Sequence, residues 1–73
     1  MARQFTAIIE REDDGYVALC PELDVVSQGE SIEAARANLQ EALELFLETA
    51  SAEEIKERLR EEVYVTRLEV SVG

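Results

Sequence analysis

Residues 31–49, SIEAARANLQEALELFLET, decide the fold of this chain. Ile32, Ala35, Leu39, Ala42, Leu43, Phe46 and, just beyond, Ala50 recur at helical spacing and fall on one stripe, with Leu47 at its margin. Glu41, Glu44 and Glu48 occupy the opposite side. Ser31 is placed to cap the helix, because its hydroxyl can accept from a free N–H of the first turn. Glu33 suits the positive end of the helix dipole. Gly29 lets the chain turn into the helix. A stripe of this width cannot be buried by one helix alone, so it requires a sheet, and the flanking segments supply one.

Before the helix, residues 3–11 read as a strand with Phe5, Ala7 and Ile9 on one face and Thr6, Ile8 and Glu10 on the other. Glu12, Asp13, Asp14 and Gly15 form a hairpin signal, and residues 16–20 are the return strand. A two- or four-residue loop gives the same facing. Ala18 and Cys20 join Phe5, Ala7 and Ile9 under the helix, where their small size allows a close approach. Ile8, Val17 and Leu19 face the other way. Pro21 breaks the strand, since it cannot donate to a ladder. Residues 24–28 make a third short strand. After the long helix, Ser51 and Glu54 form a capping box that opens a second helix running to about Arg60. Residues 62–72 alternate Tyr64, Thr66, Leu68, Val70 and Val72 against Val63, Val65, Arg67, Glu69 and Ser71, the pattern of a last strand. The expected fold is α+β, two layers, β-β-β-α-α-β. The helices serve as a right-handed crossover to a fourth strand parallel to the first.

The chain has 73 residues, enough for a single domain spanning 1–73 with a modest core. Seventeen acidic residues against seven basic ones give a net charge of −10. That balance argues against direct nucleic-acid binding, which needs a Lys/Arg surface, and against anionic membrane. It favours a basic protein as partner. A lone cysteine, no apolar run of transmembrane length and no signal-peptide pattern are consistent with a reducing, cytoplasmic setting.

Chemistry finds little purchase. Histidine is absent, so the commonest acid/base group and metal ligand is missing. Cys20 has no histidine to activate it and reads as a buried, apolar-like side chain. Ser27, Ser31 and Ser51 lack triad partners, and no glycine-rich phosphate loop is present. Glu10, Glu12, Asp14 and Gly15 mimic the start of a calcium loop, but Pro21 stands at the twelfth position, where a bidentate Glu is needed. Glu10 and Glu69 are too few for a two-metal nuclease site. No enzyme, no cofactor and no metal are expected.

Several motifs stand together: Asp14-Gly15-Tyr16-Val17-Ala18, Cys20-Pro21-Glu22-Leu23, Ser27-Gln28-Gly29-Glu30-Ser31, Glu33-Ala34 and Leu39-Gln40-Glu41-Ala42. In this combination, over residues 5–47, the chain resembles the HicB family of antitoxin-like proteins. Where that pattern has proline and glycine after the C-P-E-L run, this chain has Asp24 and Val25. The resemblance implies a partial ribonuclease-H-like sheet of four strands in the order 3-2-1-4, without nuclease activity. It implies binding to a small basic HicA-like toxin that cleaves messenger RNA. The C-terminal DNA-binding module of many family members has no counterpart after Val72, so no direct DNA binding is expected. Asp13, Asp14, Glu22 and Asp24 are the candidate contacts for the toxin. Ile8, Val17 and Leu19 on the open sheet face, and Leu68, Val70 and Val72 on an edge strand, are candidates for self-association, with a homodimer expected. The alternative is a stand-alone dimeric structural or adaptor module of the same fold with no toxin partner.

Overall fold

The computed structural model describes residues 3–73, so Met1 and Ala2 at the start of the expected 1–73 domain lie outside the described residues. Three strands come first: β1 (Ile8–Glu12), β2 (Gly15–Cys20) and β3 (Val25–Gly29). Two helices follow, α1 (Ile32–Thr49) and α2 (Ala52–Arg58). The strands form an antiparallel sheet in the order β1-β2-β3, with α1 lying across β3 and β2 and reaching β1 less.

The hairpin register follows from its loop. Glu12 faces Gly15, leaving Asp13 and Asp14 as a two-residue turn, and Ile9 faces Ala18. The left-handed backbone that such turns need falls on Asp13, with φ of 53°, and not on Gly15. Because alternate residues share a face, Ile9, Ala18 and Cys20 come together beneath α1, as the alternation predicts. They pack with Leu23, Ala35, Leu39 and Leu43, and Phe5, Tyr16, Val25, Phe46 and Leu59 close the periphery of the same core.

Both helix starts are capped as the sequence implies. The Ser31 hydroxyl accepts from the Ala34 N–H at 3.0 Å, and the Ser51 hydroxyl accepts from the Glu54 N–H at 3.1 Å. The second helix ends at Arg58, short of the expected Arg60, and Leu59 caps it through an N–H bond to the Ile55 carbonyl.

Four expectations need correction. Among the described residues the sheet has three strands, so the four-stranded 3-2-1-4 order is not formed there. Arg60 donates its N–H to the Glu22 carbonyl at 2.8 Å, and past that anchor the chain runs on without joining the sheet. Period-two alternation specifies an extended backbone; it does not specify a neighbour. Second, the first strand starts at Ile8 and not at Arg3, because β2 ends at Cys20 before the proline and residues 3–7 have no ladder partner among the described residues. Ala7 is consequently exposed. Third, the stripe predicts near-complete burial for Leu39, Leu43 and Phe46 alike, but Phe46 is only half-buried. With no strand beyond β1, that flank of the helix stripe is left uncovered, and Leu47 is exposed on it.

Fourth, Gly29 is required for closeness more than for turning. It has no positive φ, yet a Cβ there would stand 2.5 Å from the Ala35 nitrogen and 2.7 Å from the Ala34 carbonyl carbon. Both are helix backbone, so any side chain at this position lifts α1 off the sheet.

Gly29→Ala is expected to lower stability by roughly 1–3 kcal/mol through overpacking. Leu39→Ala or Leu43→Ala should cost about 2–5 kcal/mol, from lost transfer energy plus a cavity. Phe46→Ala should cost less than either, because its ring is partly in water. Urea melts of the four variants give the ranking, and a Phe46→Ala loss exceeding that of Leu39→Ala would contradict the packing described.

Candidate functional site

The candidate contact residues separate into two places. Asp13 and Asp14 form the exposed tip of the β1–β2 hairpin. Glu22 and Asp24 lie past the far end of β2, across the whole length of that strand. The four therefore do not make one patch.

At the far end, Glu22 is committed to the fold. Its carboxylate accepts from the Thr6 N–H at 3.0 Å, from the Thr6 hydroxyl, and from the Cys20 thiol at 3.4 Å. Partial burial is the largest single influence on this carboxyl and raises its pKa. The bonds from the Thr6 hydroxyl and N–H, with smaller contributions from its own backbone and Cys20, act together in the other direction and leave it below the ordinary value. The Cys20 thiol is pushed up, chiefly by burial and further by the neighbouring Glu22, against a lowering backbone bond at Leu23. It stays protonated and acts as a donor, which is the opposite of an activated nucleophile. Leu23, fully buried, anchors the same turn. The C-P-E-L run is thus a clamp: Cys20 and Leu23 enter the core while Glu22 ties residue 6 to the end of β2.

Asp24 follows with φ of 55°, a conformation that proline, fixed near −65°, could not adopt. Its carbonyl accepts from the Arg58 guanidinium at 2.9 Å, and the Pro21 carbonyl accepts from Arg60 at 3.3 Å. Arg58 also lies over the Phe46 ring, 4.9 Å from its centre. Thr6, Arg58 and Arg60 carried no sequence signal for these roles, because each acts through contacts distant in the chain.

At the hairpin end, Glu12, Asp13 and Asp14 border a shallow cleft floored by Gly15, Gln28 and Gly29. Since Tyr16 faces Gly29, Glu30 leaves β3 at this same end. Four carboxylates therefore project from one tip of the sheet, all exposed.

The open sheet face carries Ile8, Val17 and Leu19, each half-buried. The register extends this row to Val26, opposite Leu19 and 60% exposed, a residue the two-valine run of β3 left ambiguous. Leu68, Val70 and Val72 are 84%, 70% and 95% exposed on the unpaired C-terminal segment. Between residues 3–7, α1 and α2 lies a groove of about 650 Å³, lined by Phe5, Ala7, Leu39, Leu43, Leu47, Ile55 and Leu59, with Arg3, Arg36 and Glu44 also lining it.

Among the described residues, no three His, Cys, Asp or Glu side chains are placed to hold a metal ion. Glu69 is on the unpaired segment and is not carried to Glu10 by a fourth strand. No helix among the described residues is long and apolar enough to cross a membrane.

No family model matches the chain, and no solved structure matches it. It is similar to proteins of one kind, among them the following. It is 46% identical over 50 residues to a UPF0150 protein of Helicobacter pylori (strain J99), covering 67% of this chain and 69% of that protein. It is 44% identical over 64 residues to a UPF0150 protein of Synechocystis sp., covering 85% and 88% of the two chains. A second Synechocystis UPF0150 protein is 45% identical over 51 residues, covering 67% of this chain and 65% of its own length.

The Glu22 clamp sets a pH dependence. A carboxyl with a lowered folded-state value contributes stability above its unfolded value of about 4.3, and loses it as pH falls through the folded value. Glu22→Gln should therefore lower the Tm most near neutral pH, and the gap to the parent should close as the pH is taken below about 4. Thermal melts across that range test it; a gap that widens on acidification would exclude the clamp as the origin.

Proposed function

The chain belongs to the UPF0150 family, and from that premise we propose that it is a HicB-like, non-catalytic binding protein that captures a small basic HicA-like toxin and covers its RNA-binding face. One observation carries the reading. Of the 17 acidic residues only Glu22 is not exposed, so nearly the whole negative charge is presented to solvent. A surface of that kind speeds encounter with a basic protein and selects it over acidic ones. The hairpin tip presents Asp13 and Asp14 beside Glu12, all exposed, and it is the contact proposed for the toxin. Glu22 acts indirectly, by holding the turn that carries Asp24.

The combination of D-G-Y, C-P-E-L and S-Q-G-E-S motifs supports the same assignment. Two of these are now physically explained within this chain: the hairpin turn, and the Cys20–Glu22–Leu23 clamp. The alternative is a dimeric adaptor with no toxin partner, and the exposed apolar C-terminal segment is the observation in its favour.

Co-expression with a small basic protein encoded beside this chain should give a complex and rescue growth from that protein's toxicity. Asp13→Asn with Asp14→Asn should slow association several-fold at low salt, with the difference fading once screening shortens to about 8 Å near physiological ionic strength. Failure of rescue, or an association rate indifferent to both substitutions and salt, would remove the toxin reading. Purified protein should not hydrolyse RNA with magnesium or manganese; activity that persists through purification and disappears in Glu10→Gln would overturn the non-catalytic assignment.

A further inference from the structure

We propose that residues 64–72 of one copy lie in the groove between residues 3–7, α1 and α2 of a second copy, so that two chains exchange C-terminal segments along the side where the sheet edge is open. The proposal stands on this chain's own surfaces and does not rest on the toxin reading.

The first observation is that the segment is built for burial and is not buried. Tyr64, Leu68, Val70 and Val72 share one side of an extended stretch, and all are exposed. None of residues 60–73 lines the groove. The radius of gyration is 14.2 Å and the longest dimension 48 Å, against about 11 Å expected for the radius of a compact 73-residue domain. The excess belongs to the segment that leaves the body.

The second is that the same molecule has an unfilled site of matching form. The groove is apolar along Leu43, Leu47, Ile55 and Leu59, and it lies beside residues 3–7, which lead into β1, the edge strand of the sheet. The uncharged run Phe5-Thr6-Ala7-Ile8-Ile9 gives that edge little defence against pairing.

Charge also agrees. Arg3 and Arg36, two of the chain's seven basic residues, line the groove with a single acid, Glu44. Residues 64–72 carry one acid, Glu69, and one base, Arg67, and so are net neutral. Over the rest of this acidic surface another copy is repelled; in this groove its segment is not.

The third is the anchor at the root. The Arg60 N–H to Glu22 carbonyl bond and the Arg60 guanidinium to Pro21 carbonyl bond fix where the segment leaves. From there it departs from its own groove. A second copy related by a two-fold axis satisfies both segments and both grooves at once, and leaves no open end for further growth.

Sedimentation equilibrium at micromolar concentration tests the proposal, with the expected result of twice the 8.2 kDa chain mass. Leu68→Lys with Val70→Lys spoils the segment, and Leu47→Lys spoils the groove; each should give a monomer with unchanged circular dichroism, since all three side chains are exposed in the single chain. Leu19→Lys, on the opposite sheet face, should leave the dimer intact. Mixing the segment variant with the groove variant should restore dimers, because each mixed pair keeps one sound segment facing one sound groove. A monomeric parent overturns the proposal. So does a dimer abolished by Leu19→Lys, or a mixture that stays monomeric, which would place the contact between two segments or two sheet faces. Loss of toxin binding has no bearing on any of these readouts.

Discussion

The fold depends on how closely α1 can lie on the sheet. Four positions at that contact are small: Ala18 and Cys20 below, Ala35 above, and Gly29 at the entrance. Their size lets Leu39 and Leu43 reach down to the strands and become buried in a domain too small to bury many large side chains. The constraint is backbone against backbone at Gly29, so it cannot be relieved by rotating a side chain. It also sets the helix over β3 and β2, which leaves the β1 side open.

The Glu22 clamp acts at the opposite corner of the same core. Residues 3–7 have no ladder partner, yet Phe5 packs on the core. What holds them is a single carboxylate receiving a backbone N–H and a hydroxyl from Thr6. Charge-assisted bonds of this kind are stronger than neutral ones, and here one side chain fastens a segment that has no ladder partner among the described residues. The same turn fixes the root of the C-terminal segment through Arg60. The break in the second strand is therefore the junction of three parts of the chain.

Much of this was legible from residues alone. The stripe on α1, the caps at Ser31 and Ser51, the hairpin facing that puts Ile9 with Ala18 and Cys20, and the break at Pro21 all follow from local rules of period and turn chemistry. Contacts between distant residues did not follow. Thr6 is an ordinary strand residue until Glu22 is placed beside it. Phe46 sits on a faultless stripe but under no strand. The alternation at residues 62–72 fitted a fourth strand, and what it encodes is an extended backbone with one apolar side. Glu22 looked available to a partner because its own bonds lie sixteen residues away at Thr6.

The order of elements in space is also their order along the chain: each strand pairs with its predecessor, and α1 settles on strands already made. No segment must thread past another, and loop closures are short, so the entropy lost before contacts form is small. Topologies dominated by such local pairings fold fast for their size. During synthesis the complete sheet precedes α1 and α2, and the core is fully encoded before residues 61–73 are added. Maturation of the chain thus separates into a rapid unimolecular step and whatever slower, concentration-dependent event the last residues take part in.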